Sequence, residues 1–281
     1  TTDVRLYMDY AARLLRGGEN PYEANLLEAY RLNRAPFNFS TPLLDGDLTG
    51  RVAYPALSIL IFVPFQWLGV PAAWVYPLFL IAALALLYRW SPPKLRPLIL
   101  LPLFIDPRYL LYSLGGVSDI VWALLLVAML RAWSSPAQRG IWYGLACAFK
   151  HQPWLLAPFL LIRIWHEEAE GTSKERLQRL LRFAGFSVAG FAAVNLPFAL
   201  WSPRAWFAGV FEPVVAPMIT FGQGLSALTM FGRVAIPKPL SPPPIASSPK
   251  PVTPAFYFSI GLGATSSGSM TLTAMPTPGP Y

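Results

Sequence analysis

Three adjacent polar side chains, Lys150, His151 and Gln152, interrupt an apolar run at residues 141–165 and are followed at once by Pro153. Ionisable groups at membrane depth are costly, so an ammonium, an imidazole and an amide placed together are candidates to line a cavity. Such a trio could receive a phosphate arriving from the bilayer. The plainer alternative is a cation that snorkels to the interface, or an ordinary loop. Carboxylates offer the complementary chemistry. Asp3 and Asp9 lie in an amphipathic first segment, where a carboxylate can take the proton from an acceptor hydroxyl. On spacing alone Asp3 reads first as the N-cap of a helix. Asp119 follows Gly115, Gly116 and Ser118 at the start of a clean apolar run, and capping leads there as well. Asp106 and Arg108 flank Pro107; an interfacial loop is the leading reading, with mutual pairing or a place in the Lys150 cavity as alternatives. No Gly-rich phosphate loop, zinc-ligand spacing or Ser/His/Asp spacing occurs, and neither a metal nor a cofactor is expected. The single cysteine, Cys147, lies inside the same apolar run as Lys150 and reads as a small buried hydrophobe, with no disulfide available to it.

The elements that must carry these groups follow from composition. Of 281 residues, 54% are hydrophobic and 13% charged, more apolar side chains than one soluble core can use. They come in blocks, at 52–70, 71–87, 98–114, 117–133, 141–165 and 183–201. About 20 apolar residues in a helix cross roughly 30 Å of hydrocarbon, so the blocks predict an all-α, polytopic transmembrane helical bundle. Residues 1–51 are polar and amphipathic: Leu6, Tyr10, Leu14 and Leu15 keep helical spacing up to the stop signal Gly17-Gly18, and a second helical patch covers 22–32. This gives an outer loop at 1–51, a transmembrane domain at 52–232, and a Pro/Ser/Thr-rich tail at 233–281. The tail reads equally as disordered chain or as a shifted reading frame. A further apolar span is expected upstream of Thr1, and the chain is expected to be an incomplete enzyme.

Charge orients these blocks. The formal net charge of +8 is spread over short loops and forms no basic face, which excludes a nucleic-acid partner. The segment 163–182 carries five Lys or Arg, and 89–96 and 131–139 carry bases without acids; positive-inside counting puts all three in the cytoplasm. The 141–165 run must then go out and return, with 150–153 at the turn. A break at that depth is tolerated only where protein or a water-filled cavity covers it. The same count lets 52–87 cross only once, although it is long enough for two spans. One of its halves is therefore expected to be a short, non-spanning helix.

Four phrases, taken in order, resemble one known family. They are "DVRLYMDYAARLLRGGENPYE" at 3–23, "YPALSILIFVPF" at 54–65, "GLACAFKHQPWLLAPFLL" at 144–161, and "NLPFALWSPRAWFAGVFEP" at 195–213 with "GQGLSAL" at 222–228. Together they resemble membrane glycosyltransferases of the GT-C superfamily, and more narrowly glycosyltransferase family 87, which includes polyprenyl-phosphate-mannose-dependent mannosyltransferases. The second phrase departs from the family pattern, with Ala56 in place of a second proline. The resemblance implies a GT-C-like bundle with short broken helices, multi-pass in the plasma membrane, its active site facing the extracytoplasmic side. It implies a polyprenyl-phosphate-linked sugar donor, a lipid or glycan acceptor, and contact with membrane lipids. In these terms Asp3 is the catalytic base, Lys150, His151 and Gln152 lie near the donor phosphate, and Tyr7, Asp9, Arg108, Asp119 and Gln223 are candidates for the substrate cavity. Two rival readings are a secondary transporter with polar midplane breaks and an inactive membrane fragment.

Overall fold

The computed structural model describes residues 3–35, 40–41, 43, 47–106, 108–167 and 172–216, and every one of them belongs to one compact unit, Thr1–Pro242. Among them the regular structure is helical, with no strand, as the all-α expectation required.

Helix α1, Asp3–Arg16, buries Leu6, Tyr7, Met8, Ala11, Ala12 and Leu14 along one face. Asp3 in its first turn and Arg13 and Arg16 in its last complement the helix dipole. It stops where Gly18 takes φ +83°, a conformation only glycine adopts freely, while Glu19 N–H bonds back to the Leu14 carbonyl. A short α2, Glu28–Leu32, follows. The side chains of Leu6, Met8, Leu26 and Tyr30 share one core with Ile59, Phe62 and Tyr76, so the amphipathic first segment is packed onto the helices that follow it.

The 52–70 run does not form a span. It folds into two single-turn helices, α3 (Leu57–Leu60) and α4 (Val63–Trp67), as expected for one half of 52–87. The other half becomes α5, Val75–Trp90, extended at its start by a 3₁₀ turn at Ala72–Trp74. The 98–114 run is divided at Asp106 into α6 (Arg96–Ile105) and α7 (Arg108–Gly115). The 117–133 run, read as a clean span, yields α8, Asp119–Arg131. Its 13 residues reach only about 20 Å, short of the hydrocarbon thickness. The 141–165 run divides into α9 (Pro136–Phe149), a 3₁₀ turn (Gln152–Leu156) and α10 (Ala157–Trp165). Then come α11, Ser173–Trp201, opened by a Thr172/Glu175 capping box, and the short α12 (Pro203–Val210) and α13 (Glu212–Val215).

Among the described residues two helices are long and apolar enough to cross a membrane, Ala72–Trp90 and Ser173–Trp201, fewer than the expected polytopic bundle would have. Only 22% of each apolar stretch is buried among the described residues, in contrast to the mostly buried core helix of a water-soluble fold. Exposed Leu155, Phe159 and Ile162 on the α10 arm, and Phe104 and Ile105 on α6, extend this outward-facing apolar surface. A surface of this kind is stable against lipid and unstable against water.

The tightest pairing is α9 on α11. A β-carbon at Gly144 would lie 2.1 Å from the Ser187 carbonyl oxygen, and one at Gly190 would lie 2.7 Å from that of Ile141. Glycines at these positions let the two backbones meet, as in membrane helix pairs. The run that holds Lys150 closes on itself. Arg139 at the start of α9 pairs with Glu167 just beyond α10 at 3.0 Å, and Trp133 also bonds to Glu167. Tyr143 OH donates to the Pro153 carbonyl at 2.9 Å, and Trp154 Nε1–H to that of Cys147 at 2.8 Å. Both ends of the 141–165 run therefore lie at one end of the bundle, with Lys150 at the far turn.

Candidate active site

Lys150 occupies the C-cap of α9 in an extended conformation (φ −154°, ψ 162°), because Pro153 opens the next turn and the helix cannot continue through it. The break turns the ammonium inward, and Lys150 is only 8% exposed. Its Nζ lies 2.9 Å from Asp119 Oδ1 and 3.3 Å from Ser118 Oγ, and stands 5.7 Å from the centre of the Tyr54 ring. Asp119 Oδ1 also accepts the Trp122 indole N–H at 2.7 Å. Neither Ser118 nor Asp119 caps α8 through its side chain, so the leading capping role for Asp119 is replaced by pairing with Lys150.

His151 splits away from Lys150. A ring nitrogen lies 2.7 Å from the Val210 carbonyl, and because a carbonyl only accepts, that nitrogen carries the proton. The ring packs edge-on against Trp154 at 4.9 Å and lies 6.3 Å from Tyr54. Gln152 is exposed on the 3₁₀ turn. Of the three adjacent polar groups, two thus face the body of the protein.

Asp3 lines a cavity of about 150 Å³ with Tyr7, Thr41, Thr49, Arg51 and Tyr54. Its Oδ1 accepts the Val4 N–H at 2.7 Å and its Oδ2 faces Thr41 Oγ1 at 3.5 Å. Its carboxylate thus meets Val4 N–H on one oxygen and Thr41 on the other, beside the cavity. Burial pushes the Asp3 carboxyl above its ordinary value; the two hydrogen bonds and the positive charge of Lys150 oppose that rise. Tyr7 OH donates to the Thr49 carbonyl at 2.6 Å, which leaves it to accept from Ser40 Oγ–H at 3.0 Å. Its phenol is pushed up to about 12, first by burial and then by the charges of Asp3 and Glu212.

Tyr54 joins the two halves: it forms part of the wall of the Asp3 cavity and lies under the Lys150 ammonium. Asn195, buried in α11, holds it there. Asn195 Oδ1 accepts the Ala56 N–H at 2.9 Å and the Trp206 indole N–H at 3.3 Å, while Tyr22 OH donates to the Tyr54 carbonyl at 2.8 Å. Asn195 and Tyr54 were not singled out from the sequence, although a lone amide within an apolar run is itself the signal that could have marked Asn195. Asp9 takes another place. It pairs with Arg13 at 2.6 Å and accepts Gln66 Nε2–H at 2.9 Å, pinning α1 to α4 away from the cavity wall. Arg108 begins α7, and its side chain lies outside the described residues, as does Gln223. Among the described residues no group of three His, Cys, Asp or Glu could hold a metal ion.

Comparison with known proteins decides the class. The family model for glycosyltransferase family 87 matches residues 53–268. The chain belongs to glycosyltransferase family 87. No curated protein and no solved structure matches the chain. The family match takes in Tyr54, Asp119, Lys150, His151 and Asn195, while Asp3 and Arg51 precede it. Membership of glycosyltransferase family 87 makes the chain a glycosyltransferase, with a sugar donor and an acceptor as its substrates, and displaces the transporter reading. The apolar, outward-facing helices agree with a membrane glycosyltransferase.

Proposed function

We propose that this glycosyltransferase moves a hexose, mannose first among the candidates, from a polyprenyl-phosphate sugar to a lipid or glycan acceptor at the extracytoplasmic face of the plasma membrane. The observation that carries the reading is the convergence of a carboxylate and an ammonium on Tyr54, which lines the Asp3 cavity and lies beneath Lys150 Nζ. Asp3 comes from the amphipathic first helix and Lys150 from a broken helix pair deep in the bundle. Asp3 takes the proton from the acceptor hydroxyl, and the oxygen attacks the anomeric carbon from the face opposite the phosphate. The bond from the anomeric carbon to the phosphate oxygen breaks, and the configuration at that carbon inverts. Polyprenyl phosphate leaves with its negative charge. Lys150 stabilises that charge, an electrostatic contribution of the kind that usually dominates such steps.

Asp119 and Ser118 hold the ammonium in place, so the cation meets the donor phosphate without reorganisation. A polyprenyl donor approaches within the bilayer, which suits a cation held at a break between helices whose outer faces are apolar. The deciding assay supplies the protein, in lipid nanodiscs, with radiolabelled polyprenyl-phosphate mannose or with a nucleotide-linked mannose and a glycolipid acceptor. Transfer from the first donor and none from the second is the expected result. Transfer from the nucleotide sugar alone overturns the donor assignment.

A further inference from the structure

A second cavity adjoins the Asp3 cavity. It measures about 630 Å³ and is bounded by Tyr22, Glu23, Asn25, Asp47, Arg51 and Glu212, among others. Arg51 lines both cavities; Glu212 lines the larger and its neighbour Pro213 the smaller. Tyr22 donates to the Tyr54 carbonyl, so the wall between the two spaces is continuous with the Asp3 site.

Glu212 is the unusual residue here. It is only 8% exposed, and its Oε2 is sealed from solvent with no hydrogen-bond partner. Leaving a buried carboxylate oxygen unmatched is costly, and proteins retain such groups where a ligand completes them. Burial raises the Glu212 carboxyl above its ordinary value, and the positive charge of Arg51 opposes the rise. The rim adds Glu23, Asp47 and the amide of Asn25. Three carboxylates against one guanidinium disfavour an anionic ligand, and among the described residues the acids do not converge as metal ligands would. A neutral polyol fits, because its hydroxyls donate to carboxylates and accept from the amide and the guanidinium.

We propose that this cavity seats the sugar headgroup of the acceptor, with Glu212 accepting hydrogen bonds from its hydroxyls and Arg51 at the passage to Asp3. The proposal rests on the transfer reaction above only for the direction in which the acceptor hydroxyl points; binding itself does not require transfer. The test measures binding of octyl α-mannoside to the purified protein in lipid nanodiscs, since a maltoside detergent would compete with its own sugar. Saturable binding that octanol does not displace is expected. Glu212→Ala should weaken it about tenfold or more, the loss of one charged hydrogen bond, and the exposed Glu23→Ala should weaken it less. Absence of saturable binding in the wild type overturns the proposal, as does unchanged affinity in both variants. Should Glu212→Ala fail to fold, Glu23→Ala decides alone, because it touches no core. Wild-type protein that binds the mannoside yet transfers nothing from polyprenyl-phosphate mannose refutes the reaction and leaves the acceptor cavity standing.

Discussion

Asp3 and Lys150 make opposite demands on protonation, a free carboxylate for the proposed base and an ammonium for the proposed phosphate partner. A base works only when ionised, and burial has raised the Asp3 carboxyl above the usual carboxylate range. Activity should therefore fall as pH drops through that raised value, with kcat/KM losing its acidic limb first. Lys150→Met removes the positive charge that opposes the rise, so the acidic limb should move to higher pH; a limb that stays in place separates the two residues. Asp3→Asn should cut transfer by about 10²–10⁴-fold with the thermal midpoint maintained or slightly higher. The sign follows from linkage: the unfolded carboxyl ionises first, so ionised Asp3 subtracts stability as pH climbs from the ordinary value to the raised one, and the amide has no such penalty. Full activity in Asp3→Asn ends the base assignment. Asp119→Ala leaves the buried Lys150 ammonium with Ser118 as its hydrogen-bond partner. A loss of about 1–3 kcal/mol is expected, read as a lower unfolding midpoint. Lys150 and His151 could be singled out in the sequence because ionisable groups stand out in an apolar run, whereas Asp3 reads on spacing alone as an N-cap and enters as a base only through the family resemblance. The partner of Lys150 could not be identified there, since nothing in local spacing connects position 150 with position 119.

At the scale of elements, the site depends on how closely α9 approaches α11. Gly144→Ala pushes a methyl group into the Ser187 backbone, and the helices must part; a cost of about 1–3 kcal/mol is expected. Gly185→Ala, on the same α11, meets nothing within 4 Å and should be neutral or stabilising by about 0.5–1 kcal/mol through helix propensity. Thermal unfolding in nanodiscs compares the pair directly, and equal effects would show that the α9–α11 contact is not the tight one. Breaks at Asp106 and at Lys150 to Pro153 could be placed from sequence, because Pro and adjacent polar residues interrupt a helix for local reasons. The extents of α3 and α8 could not. Their residues are as apolar as those of α5, and they end after one turn or thirteen residues where they pack against α1 and α9.

For the molecule as a whole, the Arg139–Glu167 pair brings both ends of the 141–165 run to one end of the bundle, while α11 runs on for 29 residues to Trp201. Side-specific labelling tests this in a background with Cys147→Ala. Cysteines at Gln138 and Lys174 should react from one side of the membrane and a cysteine at Arg204 from the other. Reaction of Gln138 and Lys174 from opposite sides would make 141–165 a true crossing. Positive-inside counting expects the same placement from charge alone, and the labelling decides it.

The sequence by itself determined the helical class, the apolar surface, the positions of the helix breaks and the family, since each depends on composition or on residues close together in the chain. Tertiary structure decided that Tyr54 lines the Asp3 cavity and carries the Lys150 ammonium over its ring, that Asp119 aims Lys150 where capping had been expected, and that Glu212 lines a second cavity. These are contacts between residues tens to hundreds of positions apart. Their existence follows from how the helices pack, which periodicity along one helix cannot express.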